Sequence, residues 1–184
     1  MTRVMSLING KLRTEHRYGQ VVRNVLNHPS FFDYTLVNTF TKNNAPVVAD
    51  YWLCGFSDAE ASFQVKMVVS VNRKEVRLNF QVDQKTESVL VDIRNYLGGN
   101  VYHRSSQDTY YYRSTSFGVA RNIIRYFDKY PMLSYKHVNY LRWRKTYLLI
   151  QRREHLTQAG WDAIHKIKSD MRYSAATSQS KIES

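Results

Sequence analysis

The architecture of this chain turns on the stretch Trp52-Leu53-Cys54-Gly55-Phe56-Ser57-Asp58-Ala59-Glu60-Ala61-Ser62-Phe63-Gln64-Val65-Lys66-Met67. As far as Glu60 it reads as one apolar helix. Beyond Ala61 apolar and polar residues alternate, which is the period of a half-buried strand. Asp58 and Glu60 therefore close a helix at the end where aligned peptide dipoles favour cations over carboxylates. Two acids at that position need a reason other than helix stability.

Downstream, residues 62–70 and 76–84 alternate with period two around Asn72-Arg73-Lys74, which predicts a hairpin with those three residues in its turn. In the first run Phe63, Val65, Met67 and Val69 face the core, leaving Ser62, Gln64, Lys66, Val68 and Ser70 on the other side. In the second run Val76, Leu78, Phe80 and Val82 are the apolar set, opposed by Arg77, Asn79, Gln81 and Asp83. Residues 86–97 have helical spacing, with Thr86 as cap and Gly98-Gly99 as stop. A second hairpin is predicted from 100–104 and 109–116, joined by Ser105-Ser106-Gln107-Asp108. Helical spacing returns over 118–129, ending before Pro131, and again over 136–153 and 157–173. Upstream, residues 1–47 mix apolar runs with turn signals at Asn27-His28-Pro29 and Asn43-Asn44-Ala45-Pro46, predicting a short helix, a turn and a partly helical second piece.

The expected fold class is therefore α+β: helix, hairpin, helix, hairpin, helix, with a concave four-stranded antiparallel sheet covered by helices on one face and polar on the other. Residues 1–47 form an N-terminal extension, 48–150 the core, and 151–184 a C-terminal helix and polar tail. An exposed sheet face carrying Gln, Asn, Ser, Lys and Arg has the side chains that read base edges in a major groove, although any half-exposed sheet turns polar residues outward.

The 184 residues carry 27 Lys and Arg against 15 Asp and Glu, a formal charge of +12 with a pI near 9.8. Such an excess points to a polyanionic partner, nucleic acid ahead of an acidic membrane surface. Residues 1–47 hold six cations against two acids, 48–117 eight against eight, and 118–184 thirteen against five. Basic flanks around a neutral middle suggest that the flanks grip the phosphate backbone while the middle holds functional carboxylates. The cations Arg142, Arg144, Lys145, Arg152 and Arg153 lie on one helical stretch. No apolar run approaches the length of a membrane span and no secretory signal opens the chain, so an unexported, intracellular protein without membrane contact is expected. The single Cys54 leaves no intramolecular disulfide, and the spacing of Cys and the six His suggests no zinc site.

At Trp52 to Phe63 the chain resembles the LAGLIDADG motif of homing endonucleases and the strand that follows it. Leu78-Asn79-Phe80-Gln81-Val82-Asp83-Gln84-Lys85-Thr86 resembles the second strand of single-motif members, and Tyr130-Pro131-Met132-Leu133-Ser134-Tyr135-Lys136 their pre-helix segment. The resemblance covers roughly residues 48–150. It implies that Glu60 is the catalytic metal ligand, joined by the Ala59 backbone carbonyl on a divalent ion, Mg²⁺, while Asp58 supports the helix end. It implies that Gln84 and Lys136 order solvent and stabilise developing charge. Ser88 stands where a basic residue is frequent, and Lys85 is the nearby cation that could replace it. The DNA contacts it implies are Ser62, Gln64, Lys66, Ser70, Asn72, Arg73, Lys74, Arg77, Asn79, Gln81, Tyr102, Arg104, Tyr112 and Arg113.

One motif per chain implies a homodimer joined through Trp52, Gly55, Phe56 and Ala59, since cutting both strands needs two centres. The implied function is intron homing, by site-specific hydrolysis of double-stranded DNA at a long pseudo-palindromic target. An RNA-binding intron maturase is the second function that the resemblance implies. Organellar introns, in chloroplast or mitochondrion, are a common home of such chains.

Overall fold

The computed structural model describes residues 2–30, 34–71 and 73–180, of which 34, 35, 73 and 172–180 are described by their backbone alone. The chain divides into two compact units, Met1–Ala49 and Asp50–Ser184. The first holds helices α1 (Thr2–Ile8), α2 (Glu15–Val21) and α3 (Tyr34–Thr39), with a π-helical turn, Val22–Leu26, continuing α2. Its core gathers Met5, Leu26, Leu36 and Phe40, with Ile8, Leu12, Tyr18, Val21, Val22 and Val25 packed against them. The expected turn at Asn27-His28-Pro29 follows the π-helical turn directly, whereas α1 is a helix beyond those expected.

The second unit runs α4 (Trp52–Glu60), β1 (Ala61–Ser70), β2 (Arg73–Gln84), α5 (Ser88–Leu97), β3 (Asn100–Arg104), β4 (Thr109–Ser114), α6 (Phe117–Lys129), α7 (Lys136–Gln151) and α8 (Gln158–Ser180). The four strands form one antiparallel sheet in the order β1-β2-β4-β3. This is the expected α+β architecture. Two local expectations fail. Ser70 pairs with Arg73 and Val69 with Lys74, so Arg73 and Lys74 belong to the strand rather than to the turn. Helix α5 begins at Ser88 with Glu87 at its cap, and no side chain caps it, so Thr86 does not take that role. The C-terminal segment 151–184 belongs to the second unit, where α8 packs on α7 and β1.

Strand parity follows the pattern of the sequence on β1 and β2, although Val69, near the tip of the hairpin, is exposed. Phe63, Val65, Leu78, Phe80 and Val82 are buried, together with Leu90 and Ile93 of α5, Ile123 and Phe127 of α6, and Tyr140 and Trp143 of α7. The centre is aromatic: the Phe63 ring lies 4.8 Å from Phe80, 5.5 Å from Phe127 and 5.6 Å from Trp143, the last two edge-on. Edge-on and tilted contacts at these separations are favourable for ring quadrupoles and add to the burial of large apolar area. Gly98 and Gly99 stop α5 at positive φ, 85° and 93°. A side chain at Gly99 would also meet the Tyr112 ring at 2.9 Å, so that position needs glycine for space as well as for conformation.

Candidate active site and nucleic-acid interface

Helix α4 is pinned at both ends. At its start the Cys54 N–H donates to the Tyr126 hydroxyl at 2.9 Å, and that hydroxyl donates to the Asp50 carbonyl at 2.8 Å. Burial pushes the Tyr126 phenol well above its ordinary range, which keeps it a donor at any ordinary pH. At the other end the Asp58 carboxylate accepts from the Leu133 N–H at 2.9 Å and the Ser134 hydroxyl at 2.6 Å. Ser134 Oγ in turn accepts from the Lys136 N–H at 3.1 Å. The first acid against the helix dipole thus has a structural reason: it ties the helix end to the start of α7.

Lys136 opens α7 and turns its ammonium back onto that same end, donating to the Ala59 carbonyl at 2.8 Å and the Ser57 carbonyl at 3.4 Å. The Ser57 carbonyl also accepts from the Ala61 N–H, whereas at the Ala59 carbonyl the cation satisfies a group left without an intrahelical partner. Burial lowers the Lys136 pKa, while Glu60 and Asp58 pull it back up. Glu60 itself is exposed, and among the described residues it has no hydrogen-bond partner. The pairing of Ala61 with Val82 sets this helix end beside the last residues of β2, where Gln84 lies half-buried. Gln84 shares the strand parity of Phe80 and Val82, so it lies on the helix side of the sheet.

The exposed side of α4 is apolar and shallow. Trp52 and Phe56 stack with centroids 4.9 Å apart, and Gly55 between them has no neighbouring atom within 4 Å of a Cβ position. Ala59 is exposed one turn on. Small residues four apart leave the helix backbone open to close approach.

Ser62, Gln64, Lys66, Ser70, Arg77, Asn79, Gln81, Tyr102, Arg104 and Arg113 share the polar face of the sheet by parity and register. On the first hairpin Asn79 donates to Gln64 at 3.1 Å, Gln64 to Ser62 at 3.2 Å, and Arg77 makes a two-point ion pair with Glu75. Asn79 is 1 % exposed, and among the described residues its Oδ1 has no partner. On the second hairpin the Arg104 guanidinium lies 5.1 Å from the Tyr111 ring centroid, Tyr111 stacks on Tyr102 at 5.1 Å, and the Arg113 guanidinium lies 5.7 Å from Tyr102. Asp83 joins the hairpins, accepting from Arg104 at 2.9 Å and from Gln81 at 2.9 Å. A polar hollow of about 310 Å³ opens among Gln81, Arg104, Tyr111 and Arg113.

Two expected contacts leave this face, and two more cannot be assigned to it. Tyr112 is fully buried in the core, its hydroxyl donating to the Gly98 carbonyl at 2.7 Å, and burial raises its pKa. Tyr111, not Tyr112, is the outward ring. Lys74 pairs with Val69 and lies 5.3 Å from the Trp161 ring, on the helix side. Asn72 lies outside the described residues, and Arg73 is described by its backbone alone. Asp83 takes the polar face that alternation assigns to it, and Tyr111 joins it without having been expected there, although counting parity back from Arg113 points to Tyr111. The five basic residues expected on one helical stretch divide, because α7 ends at Gln151 and leaves Arg152 and Arg153 beyond it, and part of the set is already engaged: Arg144 pairs with Asp128 and Arg152 with Glu154.

A family model described as LAGLIDADG endonuclease matches residues 53–147, which span this sheet and its pinned helix. The chain belongs to the LAGLIDADG endonuclease family. It is 49% identical over 164 residues to an uncharacterized cox1 intron-2 protein of Schizosaccharomyces pombe, covering 89% of this chain and 51% of that one. This LAGLIDADG chain thus spans about half the length of that relative. An archaeal intron-encoded homing endonuclease solved in complex with DNA is 25% identical, with a TM-score of 0.62, over 67% of this chain and 81% of its own. The I-LtrWI LAGLIDADG homing endonuclease bound to target DNA is 31% identical, with a TM-score of 0.61, over 66% of this chain and 43% of its own.

Proposed function

We propose that the chain supplies one active centre and one half of the DNA-reading surface of a site-specific double-strand endonuclease, cutting by hydrolysis of phosphodiester bonds. The observation that carries this reading is the exposed Glu60, without a hydrogen-bond partner among the described residues, at the end of a helix whose other acid, Asp58, accepts from Leu133 and Ser134. Family membership and relatives solved on DNA support it.

Among the described residues no three His, Cys, Asp or Glu side chains gather into a metal cage. The donor set nevertheless fits Mg²⁺, which keeps several waters and takes one or two carboxylates beside substrate phosphates. Glu60 and the Ala59 carbonyl would hold the ion, and when bound it would lower the pKa of a water and stabilise the leaving oxygen. Lys136 holds the Ala59 carbonyl in this structure, so its ammonium would have to yield that oxygen. From there it would remain close enough to offset the charge developing on the phosphate. Gln84, at the end of β2, would orient solvent.

The exposed face of Trp52, Gly55, Phe56 and Ala59 is proposed to pack on a matching helix of a second centre. A second copy of this chain is the favoured source, because the archaeal endonuclease is matched over most of its length by this single unit. Intron homing and an organellar origin follow as expectations from a relative named for a cox1 intron. No helix among the described residues is long and apolar enough to cross a membrane.

The deciding experiment incubates a randomised double-stranded DNA library with purified protein and Mg²⁺, beside Glu60→Gln at equal concentration. Wild type is expected to recover one long, near-palindromic site and the variant none. An asymmetric site would replace the second copy by a different second half. Cutting by both proteins removes Glu60 from its role, and tight binding of a structured intron RNA without DNA cleavage would replace the endonuclease by a maturase.

A further inference from the structure

The cleavage reading makes no use of residues 1–49, yet they form a compact unit with its own core. Helix α2 and the π-helical turn make one continuous helical segment over residues 15–26, and one side of it supplies Tyr18, Val21, Val22, Val25 and Leu26 to that core. The remaining side shows His16, Arg17, Arg23 and Asn24 to solvent, with Gln20 half-buried among them. These side chains are arranged rather than scattered. Arg17 donates to Gln20 at 3.0 Å, and the Arg23 guanidinium lies back across Gly19, 3.0 Å from where a Cβ would stand.

Among the described residues of the unit their charge is not cancelled. Glu15 is held by Lys42 at 2.7 Å, and among the described residues no carboxylate pairs with Arg17 or Arg23. The two arginines are six residues apart in sequence, but their guanidiniums converge along the segment, that of Arg17 reaching Gln20 and that of Arg23 lying back across Gly19. Duplex DNA presents one negative charge per roughly 1.7 Å of its own axis, so two neighbouring cations meet neighbouring phosphates. A lipid surface fits poorly, because the apolar side of this segment is spent on the unit's own core and no apolar face remains to enter the headgroup layer.

We propose that the Arg17–Arg23 face binds the sugar-phosphate backbone of double-stranded DNA, without reading sequence, as a second DNA contact of this chain. Its tether to the sheet-bearing unit raises the effective concentration of each contact for the other on a shared duplex. The site thereby contributes occupancy and length of footprint, while sequence is read elsewhere. The inference extends the endonuclease reading but does not need it, because binding is measured without cleavage.

The test uses the full chain on a non-specific DNA duplex without Mg²⁺, following anisotropy across a salt series. For Arg17→Gln/Arg23→Gln the slope of log affinity against log salt is expected to fall by about 1.8, roughly 0.9 per lost phosphate contact, while Arg17→Lys/Arg23→Lys keeps the wild-type slope. Thermal melting of both variants should match wild type, since both arginines are exposed. An unchanged slope in the Gln variant overturns the proposal, as does an equal loss in the Lys variant, which would mean a structural role. Loss confined to a structured RNA overturns it in favour of an RNA site. If wild type cuts no DNA but the slope falls as expected, this inference stands and the endonuclease reading fails.

Discussion

The two hairpins of the sheet present the same kind of polar surface by different means. On β1 and β2 it is made of amides and one ion pair: Ser62, Gln64 and Asn79 in a chain, Arg77 closed on Glu75. On β3 and β4 it is a stack in which Tyr111 and Tyr102 carry the guanidiniums of Arg104 and Arg113 at its two ends. An amide chain can exchange its internal bonds for base edges, and each such bond is worth only about 1 kcal/mol net. The ring stack instead orients two guanidinium planes before any ligand arrives, and an Arg so fixed suits two-point recognition of guanine. Arg104 is further tied to Asp83, whereas Arg113 rests on its ring. The first hairpin is built to adapt and the second to insist.

That contrast is tested most severely at the paired tyrosines. Tyr112→Ala removes a fully buried ring with a hydrogen-bonded hydroxyl and is expected to cost about 3–5 kcal/mol in urea unfolding, in line with aromatic deletions from cores. Tyr111→Ala, one residue away, should change stability by no more than about 1 kcal/mol and appear instead as weaker DNA binding. Equal stability losses at the two positions would mean that the outward stack is structural.

Next in size, Arg113→Gln should cost about 1–3 kcal/mol of discrimination at one base pair per half-site in a cleavage-selected library, with the salt slope unchanged. A uniform loss of affinity with a slope reduced by about 1 would make Arg113 a phosphate contact. Removing the ring beneath it, Tyr102→Leu, is a smaller perturbation: roughly 0.5–1 kcal/mol at that same base pair. On the first hairpin Asn79→Ala is expected to spread its effect thinly, with about 1 kcal/mol of stability lost and a preference redistributed over neighbouring positions rather than abolished at one.

Legibility in the sequence differs between the same two regions. Residues 62–70 and 76–84 alternate apolar with polar, so the face that each side chain takes can be counted off along the chain. In Tyr110-Tyr111-Tyr112 every residue is large, aromatic and capped by a hydroxyl, so hydropathy carries no alternation and Tyr112 reads as readily outward as inward. Register sets it inward: Tyr112 pairs with Val82, and Gly99 leaves room for the ring. Lys74 misleads for a related reason, since Asn-Arg-Lys looks like a turn and only the pairings of Arg73 with Ser70 and of Lys74 with Val69 draw its last two residues into the strand.

The order of elements, the helix-to-strand switch at Glu60 and Ala61, and the presence of two carboxylates where the helix dipole opposes them are all written in the chain itself. Those properties are local, carried by residues within one or two turns of each other. What each carboxylate does is a matter of tertiary contact, because the partners lie more than seventy residues away: Leu133 and Ser134 take Asp58, Lys136 takes the carbonyls beside it, and Glu60 is left open. Hydrogen bonding is satisfied by whichever donor the fold brings within reach, and no spacing along the chain announces that donor in advance.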